Sequence, residues 1–220
     1  MLGYIHLKEI QSSPRFGKVL PVDYECKDNQ TKIYPTDEIF SEIKDYFMKK
    51  ESPEYIWLKG INDKSLFLSF QRLIAMIKST FPNQKIGVYV NASLFIENYI
   101  RKALLACDLV VINLNSVIPS HFYRSCICTK DSDIKEILYG IQTFKKEYKG
   151  YFSVYTMFLK GINDNREDIV NLKNFLLHVK PDHFSVNIFT GNGFEPISDE
   201  FKLQVKEILQ DMPIEVSFTF

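Results

Sequence analysis

YFSVYTMFLKGIND, residues 151–164, joins an apolar run rich in β-branched and aromatic residues to a Gly-Ile-Asn-Asp turn. A run of this composition predicts a buried strand, and the turn residues tolerate positive φ and cap a following helix. The next predicted helix begins at Asn165 and carries Ile169, Leu172 and Leu176 on one face. The stretch therefore predicts one unit of strand, turn and helix.

The same unit recurs along the chain, and the pentapeptide Lys-Gly-Ile-Asn-Asp itself appears twice, at 59–63 and 160–164. Most predicted strands start about 30 residues apart, the length of one βα unit. They lie at 19–24, 55–59, 85–90, 109–114, 151–159, 183–188 and 214–220. Strands alternating with helices predict a parallel sheet, either open and doubly wound or curled into a barrel. No linker-like stretch interrupts residues 1–220, so we expect a single domain.

Composition excludes several classes of function. The chain has 220 residues, 45% of them apolar, as expected of a globular protein with a full core. Lys plus Arg and Asp plus Glu number 27 each, so no net charge favours a nucleic-acid backbone or an anionic membrane. The longest apolar runs are far shorter than the roughly 20 residues that cross a bilayer, and the first residues lack a secretory leader pattern. We therefore expect a cytoplasmic protein without nucleic-acid or membrane partners.

Chemistry is expected where the parallel strands end, because the loops converge there in both architectures. The side chains at these ends are mostly amides, with few of the usual catalytic types; they include Asp63, Asn91, Asn113, Lys160 and Asn187. The repeated pentapeptide has two interpretations. It is either a helix-capping turn, or it places Lys59 and Lys160 on one rim to bind a carboxylate or phosphate.

The histidines and cysteines give weak signals. The four histidines are scattered, so we expect them at the surface or in packing, and no glycine-rich phosphate loop occurs. The four cysteines are Cys26, Cys107, Cys126 and Cys128, and reduced thiols are the default without a secretory signal. Residues 116–131 are predicted to form a long irregular loop that lines a site. The alternative to unligated thiols is a metal site built from Cys26, Cys126 and Cys128.

The order of the motifs resembles the radical S-adenosylmethionine (radical SAM) superfamily over nearly the whole chain. Residues 13–23 resemble a Ser-Arg-Arg-Leu-Gly-Arg-Ser-Leu-Gly-Ile-Asp opening, and residues 157–164 resemble Met-Leu-Val-Lys-Gly-Val-Asn-Asp. Further matching segments lie at 35–39, 55–66, 90–94, 107–110, 182–187 and 196–198. The resemblance implies a partial TIM-like (βα)6 barrel of parallel strands. It also implies that Asp63, Asn91, Asn113, Lys160 and Asn187 line the cofactor pocket.

The chain departs from this superfamily where the chemistry resides. The family's CxxxCxxC loop supplies three thiolates to an iron-sulfur cluster, whereas Cys26 stands alone between Asp23 and Pro35. Asn62 to Ser65 replace the family's Gly-Glu-Pro-Thr signature, leaving only the Asp63 carboxylate. With these departures, the resemblance implies that the iron-sulfur cluster is absent and that S-adenosylmethionine is a candidate ligand. We assign no catalytic residue.

These observations support three interpretations. The first is a radical-SAM-like pseudoenzyme that binds a small molecule or a protein partner. The second is an active radical SAM or metal-dependent enzyme with a cysteine site made of Cys26, Cys126 and Cys128. The third is an assembly partner, because an aromatic last strand at 216–220 offers an edge for pairing.

Overall fold

The computed structural model describes residues 11–13, 17–23, 36–49, 53–61, 67–125, 133–189 and 195–220. Within these ranges the strands are β1 (Gln11–Ser13), β2 (Gly17–Asp23), β3 (Tyr55–Ile61), β4 (Lys85–Asn91), β5 (Leu109–Asn113), β6 (Tyr151–Phe158), β7 (His183–Ile188) and β8 (Glu215–Thr219). The helices are α1 (Thr36–Lys49), α2 (Phe67–Thr80), α3 (Asn98–Leu104), α4 (Pro119–Ser125), α5 (Ile134–Glu147), α6 (Arg166–Val179) and α7 (Asp199–Leu209), and a short 3₁₀ helix covers Ala92–Ile96.

The strand order decides between the two predicted architectures. The eight strands form one sheet in the order β1 to β8, and β2 to β8 pair in parallel with their chain neighbours. A doubly wound sheet reverses its strand order at a switch point, and this order never reverses. Right-handed crossovers that advance in one direction put every helix on the same face. The fold is therefore the predicted α/β partial barrel, with six βα units and a last strand.

Alternation along the strands separates a helix-covered face from an inner face. In β4, Ile86, Val88 and Val90 are fully buried in the main apolar core, together with residues of the helices. Successive side chains of a strand point to opposite faces, so Tyr89 and Asn91 lie on the inner face. The core thus sits between sheet and helices, and the inner face carries polar side chains next to apolar ones such as Val111.

The structure differs from the sequence predictions in two places. Strand β1 pairs antiparallel with β2 and was not predicted, because three residues are too few to show periodicity. The irregular loop predicted at 116–131 contains helix α4, and Ser116 before it is fully buried. In the described ranges, no helix combines the length and the apolar character needed to span a bilayer.

Candidate functional site

A row of polar side chains crosses the inner face near the carboxyl ends of the strands. Asn91, Asn113, Tyr155, Ser185 and Ser217 are consecutive register partners on β4 to β8. Neighbouring strands lie about 4.8 Å apart, so each side chain in this inner row stands beside the next. The row brings two of the predicted site residues, Asn91 and Asn113, directly together.

The two asparagines have different hydrogen-bond partners. The Asn91 Oδ1 accepts from the backbone N–H of Ser93 at 2.9 Å and so caps the 3₁₀ helix. The Asn113 Oδ1 is buried and has no hydrogen-bond partner among the described residues. A buried acceptor without a partner costs about 1–3 kcal/mol, so a native structure that keeps one usually has a reason. Asn113 therefore contributes an unpaired buried acceptor to the row.

Two tyrosines flank Asn113. Tyr89 of β4 and Tyr155 of β6 meet edge to face, with ring centroids 5.8 Å apart. Burial raises the pKa of Tyr89 far above its ordinary value, and the neighbouring Tyr155 raises it further. Burial also raises the pKa of Tyr155. Both phenols therefore stay neutral near pH 7 and can donate hydrogen bonds, while their ring faces can attract a cation.

On β6 to β8, serine hydroxyls form hydrogen bonds around a buried histidine. The His183 Nδ1 lies 3.0 Å from the Ser153 Oγ, and its Nε2 lies 2.8 Å from the Ser217 Oγ. Ser217 in turn donates to Ser185 at 3.5 Å. Because both ring nitrogens are engaged, His183 packs as expected from the sequence and fixes the β6 to β8 side of the inner face.

The second copy of the repeated pentapeptide forms a capped turn above β6. Gly161 has φ +73°, a conformation that favours glycine. The Asn163 side chain is fully buried; its Nδ2 donates to the carbonyls of Asn115 (2.7 Å) and Met157 (3.0 Å), and its Oδ1 accepts from Leu159 N–H at 2.7 Å. The turn therefore follows the first of the two interpretations, a structural one.

The Lys160 ammonium also has a partner within this turn. It lies 3.1 Å from the Asp164 Oδ2, while the Asp164 Oδ1 accepts from Gly161 N–H at 2.7 Å. A ligand carboxylate or phosphate would have to compete with Asp164 for this lysine. A pocket role for Lys160 stays a prediction.

The remaining predicted residues lie apart from the row or outside the described ranges. Asn187 is on the inner face of β7, two residues after Ser185 of the row. Its register partners are Met157 on β6 and Thr219 on β8. Asp63, Cys26, Cys126 and Cys128 fall outside the described residues. Within the described ranges, no group of three or more His, Cys, Asp or Glu residues could hold a metal ion.

Sequence reasoning missed Tyr89 and Tyr155. The signal was available, because the residues on either side of each tyrosine are fully buried, Val88 and Val90 for Tyr89 and Val154 and Thr156 for Tyr155, so each tyrosine has to lie on the other face. It also missed the pairing of His121 with Asp168, whose side chains lie 2.6 Å apart across 47 residues of sequence. No local spacing signals that contact.

The inner row offers neutral hydrogen-bond donors, amide acceptors and aromatic ring faces. Such a surface suits a small polar molecule that brings its own N–H or O–H groups, and a compact cation beside the rings. The row itself contains no ionisable acid or base with an ordinary catalytic pKa, so binding is the chemistry it supports best.

Comparisons with known protein sequences give distant relatives. No protein-family model matches the chain. It is 26% identical over 156 residues to a GTPase Obg of Brachyspira hyodysenteriae, covering 71% of this chain and 23% of that protein. It is 25% identical over 184 residues to a UPF0026 protein of Helicobacter pylori strain J99, covering 74% of this chain and 59% of the relative. The chain therefore spans less than two thirds of either relative.

Comparisons with solved structures identify the fold. A radical SAM methyltransferase from Sphaerobacter thermophilus superposes with a TM-score of 0.66 at 12% identity, covering 96% of this chain and 68% of that chain. Streptococcus suis SuiB bound to S-adenosylmethionine gives a TM-score of 0.63 at 10% identity, covering 91% of this chain and 50% of that chain. The chain has the fold of these radical SAM proteins, which confirms the fold that the resemblance implies.

Proposed function

We propose that the chain is a radical-SAM-like pseudoenzyme of the cytoplasm that binds a small polar molecule on its inner face, with S-adenosylmethionine as the leading ligand. The observation that carries the proposal is the buried Asn113 Oδ1, which has no partner among the described residues. A ligand that supplies one N–H or O–H to this oxygen removes the cost of leaving it unpaired.

S-adenosylmethionine supplies groups that complement this face, namely hydrogen-bond donors and a cation. Its hydroxyl and amino groups are donors for Asn113, and its sulfonium is a permanent cation that the faces of Tyr89 and Tyr155 can attract. The fold that this chain shares with SuiB, whose structure contains S-adenosylmethionine, is consistent with that ligand.

The residues do not fit an iron-sulfur cluster of the usual kind. Such a cluster needs three thiolates from one loop, and residues 24–34 contain Cys26 as their single cysteine. The proposed function therefore includes no reductive cleavage and no step through a cluster.

Calorimetric titration of the protein with S-adenosylmethionine tests the binding proposal. We expect saturable heat for the wild type and at least a tenfold weaker affinity for Asn113→Leu, because one buried hydrogen bond is worth about 1.5 kcal/mol. Lys206→Ala on α7, away from the inner row, is the control and should bind as the wild type does. Absence of binding by the wild type would refute the S-adenosylmethionine assignment.

Anaerobic reconstitution with iron and sulfide tests the absence of a cluster. We expect colourless protein, whereas about four irons per chain with broad visible absorbance would favour the active-enzyme interpretation. In that event the Cys126→Ser, Cys128→Ser double variant decides whether those thiols hold the metal. Unchanged iron in the double variant would exclude them.

A further inference from the structure

A buried carboxylate and a histidine form a second polar cluster at the carboxyl edge of the sheet. Asp168, in the first turn of α6, is fully buried. Its Oδ2 lies 2.6 Å from the His121 Nδ1 and accepts from the Asn165 Nδ2 at 2.7 Å. The Ser116 hydroxyl donates to its Oδ1. Both carboxylate oxygens are thus satisfied, as a buried charge requires.

This contact sets which nitrogen of His121 carries a proton. An ionised carboxylate can only accept hydrogen bonds, so the proton of a neutral His121 resides on Nδ1. The Nε2 then presents its lone pair away from Asp168. The His121 side chain is 24% exposed, and its Nε2 has no hydrogen-bond partner among the described residues. The imidazole is therefore held on one side by Asp168, and its side chain is partly exposed.

The cluster lies at the carboxyl ends of β5 and β6. Ser116 follows Asn113 by three residues, directly after the end of β5. Helix α4, which carries His121, is joined to the turn above β6 by a hydrogen bond from the Arg124 Nη2 to the Gly161 carbonyl at 2.9 Å. Those two strand ends bound the part of the inner row that contains Asn113 and Tyr155.

The other two described histidines lack this arrangement. His183 has both ring nitrogens engaged by serine hydroxyls. His178 bonds a backbone carbonyl through its Nδ1, at 2.7 Å from the Asn174 oxygen, in the last turn of α6 at the opposite edge of the sheet. Only His121, among the described residues, combines a buried carboxylate partner with a free Nε2.

We propose that His121 is a general base that acts on an O–H or N–H group of a small polar ligand, or of a water molecule, held at the carboxyl edge of the inner face. In the proton transfer the ligand O–H or N–H bond breaks, its electron pair stays on the ligand oxygen or nitrogen, and an N–H bond forms at Nε2. The resulting imidazolium faces the Asp168 carboxylate, and its proton leaves to solvent through the exposed side of the ring. Asp168 and Ser116 are positioning residues. Proton transfer of this kind needs no iron-sulfur cluster, so it is separate from the radical chemistry that the proposed function excludes. The proposal does not depend on S-adenosylmethionine being the ligand.

Hydrolysis of p-nitrophenyl acetate by the purified chain tests the proposal without knowledge of the ligand. An available Nε2 lone pair accelerates the release of p-nitrophenolate, whether it attacks the acetyl carbonyl itself or takes a proton from the attacking water. We expect His121→Asn to lower the protein-dependent rate about tenfold, and Asp168→Asn to lower it similarly. His178→Asn is the control. It removes an exposed histidine that also lies in a helix but has no carboxylate partner, and it should keep most of the wild-type rate.

The His121→Asn variant separates a chemical role of the imidazole from a structural one. Its side-chain N–H can still donate to Asp168, so the urea midpoint of His121→Asn should stay near that of the wild type while the reactivity is lost. Nitrogen-15 spectra of the imidazoles should show the neutral form of His121 protonated at Nδ1. Equal rates for the wild type and His121→Asn, or a proton on Nε2 in the neutral form, would overturn the proposal. If Asp168→Asn fails to fold, the comparison of the wild type with His121→Asn decides alone.

Discussion

Asn113 and Asn163 show how the same residue type serves opposite purposes at neighbouring strand ends. Asn163 makes three hydrogen bonds that hold the turn above β6 against the end of β5. The Asn113 Oδ1 is buried without a partner among the described residues. One side chain stabilises the fold, and the other is kept at a cost that a ligand can offset.

This contrast predicts opposite effects of one substitution at the two sites. Asn113→Leu should leave the free energy of unfolding unchanged or raise it by about 1 kcal/mol, because it removes an unpaired buried acceptor. Asn163→Leu should lower it by about 2–4 kcal/mol, because it leaves two carbonyls and one N–H unsatisfied. Urea denaturation of the two variants measures both. Equal destabilisation by the two substitutions would mean that Asn113 has partners in solution.

At the scale of elements, two strands begin with the same anchor. Asp108 precedes β5, and its Oδ2 accepts from Ile86 N–H at 2.8 Å and from the Lys78 ammonium of α2 at 2.7 Å. Asp182 precedes β7 and makes the matching contacts with Phe152 N–H and the Lys145 ammonium of α5, both at 2.8 Å. Each aspartate joins its own strand to the preceding strand of the sheet and to the helix that leads into that preceding strand. Two segments of the family resemblance are therefore structural at these positions.

Because Asp108 and Asp182 make matching contacts, we expect them to contribute similarly to stability. Asp108→Ala and Asp182→Ala should each lower the free energy of unfolding by about 1–2 kcal/mol, mainly through the lost backbone hydrogen bond, since the ion pairs are partly exposed. Thermal or urea unfolding checks this. A loss of less than about 0.5 kcal/mol at either site would show that the anchor is not needed there.

Most elements could be predicted from sequence, because periodicity reports which face of a strand or helix is buried. All seven predicted strands are present, and α6 begins after its Asn165 cap as expected. The site could be predicted only in part. That Asn91 and Asn113 are adjacent follows from the order of parallel strands, but the unpaired Oδ1 depends on the packing around it. The contact between His121 and Asp168 depends on how two loops meet, which the spacing of residues within either loop does not encode.

At the scale of the whole molecule, buried phenols and a buried thiol make the fold sensitive to alkali. Burial raises the pKa values of Tyr89, Tyr148 and Cys107. The Tyr148 hydroxyl donates to the Cys107 carbonyl at 2.9 Å inside the core. Each group holds its proton more tightly in the folded chain than in the unfolded chain, so the folded chain binds more protons at alkaline pH.

The sign of this difference fixes the pH dependence of stability. The stabilisation is complete below about pH 8.5 for the thiol and about pH 10 for the phenols, and it is lost as pH rises above those values. We expect the urea midpoint to fall between pH 9 and pH 11, with tyrosine absorbance at 295 nm showing phenols that ionise only on unfolding. Tyr148→Phe should weaken the pH dependence. A midpoint that is constant or rises over this range would contradict the burial of these groups.

The proposed function places a bound ligand on the inner face, beside Asn113. A crystal structure of the chain grown with S-adenosylmethionine tests it most directly. We expect the ligand on the inner face, with a hydroxyl or amino group within hydrogen-bond distance of the Asn113 Oδ1 and the sulfonium beside Tyr89 or Tyr155. Density for the ligand elsewhere, or an Asn113 side chain fully bonded to the protein itself, would contradict it.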